Sequence, residues 1–150
     1  MSTISNSDYS DLLFVFSANH VEFLLVGAHA LALHGYPRFS EDLDVWVRPT
    51  SENAERVYAA LVQFGAPLEN ITPADFTNPD MVLQIGVAPV RIDILTSISG
   101  VTWDEGWQSR IAFAYGGVTA YAIGRDALIR NKRASGRPKD LLDIETLERG

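Results

Sequence analysis

Two aspartates separated by one residue, Asp42 and Asp44, stand in the run Ser40-Glu41-Asp42-Leu43-Asp44-Val45-Trp46-Val47. Side chains alternate along a strand, so both carboxylates point to one face while Leu43 and Val45 point to the other. Neighbouring carboxylates repel, and a cation between them removes that cost. Hard oxygen donors suit magnesium or manganese, which bind one or two carboxylates and complete their shell with water and phosphate. A third acid, Asp93, lies between two isoleucines in Val90-Arg91-Ile92-Asp93-Ile94-Leu95. An acid in an apolar strand needs a partner. If that strand lies beside the Asp42 strand, the three acids converge around two metal ions roughly 4 Å apart. Simpler roles compete: Asp42 as a strand-start cap, and Asp93 paired with Arg91 or Arg110.

The basic residues gather elsewhere. Six of the twelve Lys and Arg fall between positions 125 and 139, with one Asp among them. Such a stretch can form a local anion site on a chain whose net charge is −7. Lys132, Arg137 and Lys139, with the adjoining Asp140, are candidates for a phosphate or RNA site. The competing reading is an ordinary helix pair of Lys139 with Asp143, spaced i to i+4. Arg38 and Ser40, just before the acidic pair, either contact a nucleotide phosphate or serve locally, Arg38 neutralising Glu41 or Asp42 and Ser40 making a turn. His29 and His34 flank an apolar helix face and read as packing histidines. Trp46 shares the face of Asp42 and Asp44, where it stacks a base or packs beneath the site. Trp103 and Trp107 share a helical face and read as core or interface.

The elements that must position these residues follow from hydrophobic periodicity and its breakers. Helices are predicted at 8–19 (capped by Ser7 or Asp8), 28–34, 49–64, 103–109, 125–134 and 138–147. Strands are predicted at 23–26, 43–48, 82–87, 90–95, 111–115 and 118–123. Turns fall at Ala88-Pro89 and Gly116-Gly117, and 66–79, with three prolines, reads as loop. This order implies an α+β fold, a mixed sheet packed against helices rather than a regular doubly wound one.

Composition narrows the classes. The 150 residues suit one domain, and 47% hydrophobic content can build a core. The absence of cysteine excludes disulfides, Cys-based zinc and a Cys nucleophile, and fits a reducing compartment. The acidic balance disfavours a protein that coats nucleic acid. The first residues carry neither the charge nor the apolar stretch of a signal peptide. No apolar run approaches the roughly 20 residues of a membrane span. No membrane association and a cytoplasmic location are the expectation.

The stretch Val26-Gly27-Ala28-His29-Ala30-Leu31-Ala32-Leu33-His34-Gly35-Tyr36-Pro37-Arg38-Phe39-Ser40-Glu41-Asp42-Leu43-Asp44-Val45 resembles the first motif of the DNA polymerase β-like nucleotidyltransferase superfamily. More narrowly, it is similar to the small bacterial branch that includes abortive-infection nucleotidyltransferase toxins. There a strand ends in Gly-Gly or Gly-Ser, a short helix follows, and an Arg- and Ser/Thr-bearing loop leads into Asp-x-Asp. The third acid comes on a later strand, as in Arg91-Ile92-Asp93. The segment from Leu128 through Lys132 to Arg137-Pro138-Lys139-Asp140 resembles the branch's C-terminal helical Lys and Arg-x-Lys-Asp segment.

The resemblance implies a single nucleotidyltransferase-like domain over 1–150. It makes Asp42 and Asp44 metal ligands, and Asp93 a third ligand or the base for an incoming hydroxyl. Backbone N–H groups at Gly27-Ala28 would approach the phosphates, and Lys132 would reach one as a point charge. The implied reaction is transfer of a nucleoside monophosphate from an NTP to a hydroxyl of RNA, tRNA or protein, with Mg2+ or Mn2+ as cofactor. The implied setting is a toxin–antitoxin or phage-defence pair, with a cognate antitoxin or toxin protein as partner. Ala28 departs from the family's Gly or Ser, so a hydroxyl contact to the triphosphate is missing. A catalytically silent module that docks a protein partner is the rival reading. A phosphohydrolase lacks support, because no aspartyl-nucleophile motif or His/Asp cluster is present.

Overall fold

The computed structural model describes residues 3–36, 42–87, 90–115 and 117–149. Among them run α1 (Thr3–Ala18), β1 (Phe23–Val26), α2 (Gly27–Leu33), β2 (Asp42–Val47) and α3 (Ser51–Phe64). A 3-10 turn (Pro73–Thr77) and the strands β3 (Val82–Val87) and β4 (Val90–Leu95) follow. The chain continues through α4 (Trp103–Gln108), β5 (Ile111–Tyr115), β6 (Val118–Ala122), α5 (Arg125–Ser135) and α6 (Pro138–Arg149). One mixed sheet has the order β3-β4-β2-β1-β6-β5. β2 pairs parallel to β4 and β1 parallel to β6, while β1–β2, β3–β4 and β5–β6 are antiparallel. The predicted α+β class, with a mixed sheet covered by helices, is the class observed.

Strand alternation divides the core in two. Phe23 and Leu25 of β1, Leu43, Val45 and Val47 of β2, and Ile92 and Ile94 of β4 face α1 and α3. Leu24, Val26 and Trp46 face the other way, toward α2, α4, α5 and α6. Leu43, Val45 and Val47 are fully buried, and each such side chain contributes about 1.5–3 kcal/mol. The face that buries Trp46 also carries Asp42 and Asp44 further back along β2.

Asn53, at the start of α3, ties the layers together. Its Nδ2 donates to the carbonyls of Glu22 and Arg48, each at 3.0 Å, and its Oδ1 accepts from Glu22 N at 2.8 Å. Thr50 caps α3 through its hydroxyl, and Gly65 ends it in the left-handed conformation. The main departure from periodicity is α1. It begins at Thr3, so Ser7 and Asp8 lie inside the helix rather than capping it. The added residues, Thr-Ile-Ser-Asn-Ser, are mostly polar, so no apolar spacing marks them as helical. The loop at 66–79 holds the 3-10 turn, whose start is fixed by a capping box of Thr72 and Asp75 around buried Phe76. Among the described residues, no helix is long and apolar enough to cross a membrane.

Candidate active site

The register of β2 against β4 assembles the acidic side of the site. It sets Asp44 directly opposite Asp93, and Asp42 opposite Arg91. Like charges directly opposite one another destabilise a sheet. The structure meets this cost in two ways. Burial, followed by the charges of Asp93 and Asp42, raises the Asp44 pKa to about 7, and Asp44 and Asp93 are hydrogen-bonded to each other. Arg91 then bridges the other contacts: Nη2 to Asp42 Oδ2 at 2.8 Å, Nε to Asp93 Oδ1 at 3.1 Å, and Nη2 to Asp93 Oδ2 at 3.2 Å.

Gly27 borders this group from β1. Val26 pairs with Asp44 in the antiparallel register, and the chain turns at once into α2. Gly27 has φ of +70°, and a Cβ there would overlap the Asp44 carboxylate. Gly27→Ala is therefore expected to cost about 1–2 kcal/mol for backbone strain alone, and more for the collision. Urea unfolding of Gly27→Ala, alone and with Asp44→Ala, separates the two. Measured against Asp44→Ala alone, the double variant should show only the strain part.

The opposite wall is basic. A cleft of about 300 Å³ is lined by Gly27, Ala28, Asp42, Asp44, Arg91 and Asp93 on one side and by Lys132, Arg137, Lys139 and Asp143 on the other. Gly136 adopts the left-handed conformation that ends α5, and α6 starts two residues later, which brings the two helices side by side. Lys132 is 7% exposed; its Nζ lies 2.9 Å from Asp143 Oδ2 and 3.6 Å from Asp140 Oδ1. Arg137 Nε meets Asp140 Oδ2 at 2.7 Å. Burial pushes the Asp140 pKa up, but Arg137 and Lys132 outweigh it and hold the group below its ordinary value.

Of the residues singled out in the sequence, Asp42, Asp44, Asp93, Gly27, Ala28, Lys132, Arg137 and Lys139 all line this one cleft. Arg38 and Ser40 lie outside the described residues. Asp143, expected as a helical partner of Lys139, accepts from Lys132. Asp93 takes Arg91 as its partner, and Arg110 instead sits over the rings of Trp107 and Tyr121, at 4.0 and 4.7 Å. His34 Nε2 is 2.9 Å from the Ile123 carbonyl, as suits a packing histidine. His29 meets Tyr9 edge-on at 5.3 Å, and burial lowers its pKa. Trp46 is core, edge-to-face with Trp103 at 5.1 Å, and Trp103 stacks on Trp107.

Sequence alone makes Arg91 only a partner for Asp93, Asp140 a member of the basic phosphate or RNA segment, and Asp143 a partner for Lys139. The signals were present: Arg91 is two residues from Asp93 on a strand, and Asp140 and Asp143 are three apart on a helix.

Among the described residues, no group of three or more His, Cys, Asp or Glu is set to hold a metal ion. Two of the three expected acids, Asp44 and Asp93, face each other, while Asp42 is engaged by Arg91. The donor set nonetheless suits a hard divalent cation. All its atoms are carboxylate oxygens, and a cation would relieve their mutual repulsion as the Arg91 guanidinium does here.

The sheet order and helix placement define the nucleotidyltransferase fold. Solved structures share it, three of which are as follows. The antibiotic-resistance factor ANT(2'')-Ia matches at a TM-score of 0.60 with 12% identity, over 99% of this chain and 83% of its own. The lincosamide antibiotic adenylyltransferase LnuA, in its lincomycin-bound form, matches at 0.59 with 13% identity, over 95% of each chain. An antigenic nucleotidyltransferase-like protein from Paracoccidioides brasiliensis matches at 0.58 with 15% identity, over 97% of this chain and 76% of its own. No protein-family model and no curated protein sequence matches the chain.

Proposed function

We propose that the chain, acting as a single domain, is a magnesium-dependent nucleotidyltransferase that moves a nucleoside monophosphate from an NTP to an acceptor hydroxyl, releasing pyrophosphate. The observation that carries this reading is the facing pair Asp44 and Asp93, with Asp42 beside them, across one cleft from Lys132, Arg137 and Lys139. Acids on one wall would hold a divalent cation, and the cations on the other would face the anionic triphosphate.

Asp42, Asp44 and Asp93 would hold magnesium or manganese, which supplies charge neutralisation at the triphosphate. Asp93 would take the proton of the incoming hydroxyl, which then attacks the α-phosphorus as pyrophosphate leaves. The backbone at Gly27 and Ala28 approaches the phosphates, and Arg137 and Lys139 steer them, with Lys132 behind. Arg38 and Ser40 are further phosphate-contact candidates. Positioning and charge neutralisation are most of what phosphoryl transfer requires of a protein.

The sequence resemblance supports an RNA, tRNA or protein hydroxyl as acceptor, in a cytoplasmic toxin–antitoxin or phage-defence setting with a cognate protein partner. The lincosamide antibiotic adenylyltransferase among the fold neighbours supports a small-molecule hydroxyl instead. Labelled NTPs and magnesium, offered separately with total RNA, total protein and hydroxyl-bearing antibiotics, test the reaction and the acceptor together. Wild type should label one arm, and Asp42→Ala should label it at least about 10³-fold more slowly. No labelled product in any arm, or equal labelling by Asp42→Ala, overturns the proposal.

A second reading has its own observation. Arg91 and Lys132 are both committed to internal ion pairs, and Ala28 lacks a hydroxyl. A catalytically silent module acting through a protein partner accounts for that arrangement. Calorimetric titration separates the two readings: the silent module takes up no manganese–NTP at millimolar concentration.

A further inference from the structure

Arg91 is placed among the acids by the same two rules that place the acids. Strand alternation puts it on the face of Asp93, and the β2–β4 register puts it opposite Asp42. Its guanidinium makes a fork to Asp93 and a third contact to Asp42, all between 2.8 and 3.2 Å. Its side chain is 33% exposed along the cleft wall. The charged group is thus held by the acids and can leave them without unpacking the core.

A divalent cation seated on Asp42 and Asp93 needs the oxygens that Arg91 now occupies. The geometry points to Arg91 as an exchangeable internal counter-ion: it holds the carboxylates together in the metal-free protein and must swing aside for a divalent cation to bind. This inference rests on the metal-site part of the proposed function. It assigns Arg91 a regulatory role at that site, setting the affinity for metal. Once displaced, the guanidinium faces the cleft, where the phosphates of a bound nucleotide offer it new acceptors. Nucleotide and metal therefore favour each other, because the nucleotide gives Arg91 a second place to rest.

The test is Mn2+ binding to the full chain, read by the paramagnetic resonance of free Mn2+, for wild type, Arg91→Gln and Arg91→Lys, with Asp44→Asn as the site control. If the clamp is closed about nine-tenths of the time, removing it tightens Mn2+ binding about tenfold. Arg91→Gln should show that gain. Arg91→Lys keeps the charge but loses the fork, so it should bind several-fold more tightly than wild type. If Arg91→Gln does not fold, the lysine variant decides. Equal or weaker binding in Arg91→Gln, with binding still lost in Asp44→Asn, overturns the exchange while leaving the metal site standing. A gain in Arg91→Gln with none in Arg91→Lys also overturns it, since charge alone then suffices. No Mn2+ binding by wild type or by either Arg91 variant removes the metal site itself, and the exchange with it.

Discussion

Asp44→Asn is expected to stop nucleotidyl transfer and, in the same protein, to raise the melting temperature in metal-free buffer at pH 8. Folded Asp44 holds its proton up to about pH 7, against an ordinary value of 3.8. Between those values the native state binds more protons than the unfolded state, so stability falls as pH rises. Above about pH 7 the ionised form is present in both states, and the full cost of burying it beside Asp93 and Asp42 is felt. That cost is on the order of 2–4 kcal/mol, and an uncharged amide at the same position avoids most of it. For a chain of this length the gain is several degrees. The wild type should lose stability between about pH 4 and pH 7, and Asp44→Asn should show a flatter profile. Magnesium should stabilise the wild type at pH 8 and leave the variant unchanged. Scanning calorimetry over pH, with and without magnesium, reads all of this. An Asp44→Asn protein less stable than wild type at pH 8 would mean that the acids are not in conflict.

The largest loss of stability is expected on the other wall. Lys132→Met keeps the volume but leaves Asp143 and Asp140 facing each other without the ammonium between them, at 3% and 0% exposure. Removing one partner of a buried pair costs about 3–5 kcal/mol. Asp140 keeps its contact to Arg137. Adding Asp143→Leu to Lys132→Met removes both charges of the 2.9 Å pair and should return part of the loss. Urea unfolding of the two single variants and the double checks this. The result also governs any activity assay, because a fall in transfer by Lys132→Met mixes loss of a phosphate contact with loss of the wall.

Much of this architecture was legible in the sequence, for physical reasons that can be named. β1, β3 and β4 lie where four to six apolar or alternating residues meet Gly, Pro or charged breakers. β2 was found one residue late at each end, because Asp42 reads as polar flank until its partner strand is known. The acids were found because a carboxylate is costly among valines and isoleucines, so its presence carries information. Arg91 was missed as a site residue because a lone arginine on a half-exposed strand is ordinary. Its meaning comes only from register, which puts it opposite a residue 49 positions earlier. Lys132 was expected to face a phosphate freely, since one sequence cannot show that Asp140 and Asp143 turn inward with it. The segment holding Arg38 and Ser40 lies outside the described residues, and their roles rest on the motif.

The guanidinium that bridges Asp42 and Asp93 belongs to the same strand as Asp93. During synthesis, residues 42–93 leave the ribosome well before 132–139, at roughly 5–20 residues per second. The growing chain therefore spends seconds with its acidic strands available and its basic helices not yet made. Arg91 arrives with Asp93, so parallel pairing of the two acid-bearing strands does not have to wait for a metal ion or for the C-terminal helices. Under the proposed exchange, the charge that would restrain the finished site against metal would also ease pairing of these strands during translation.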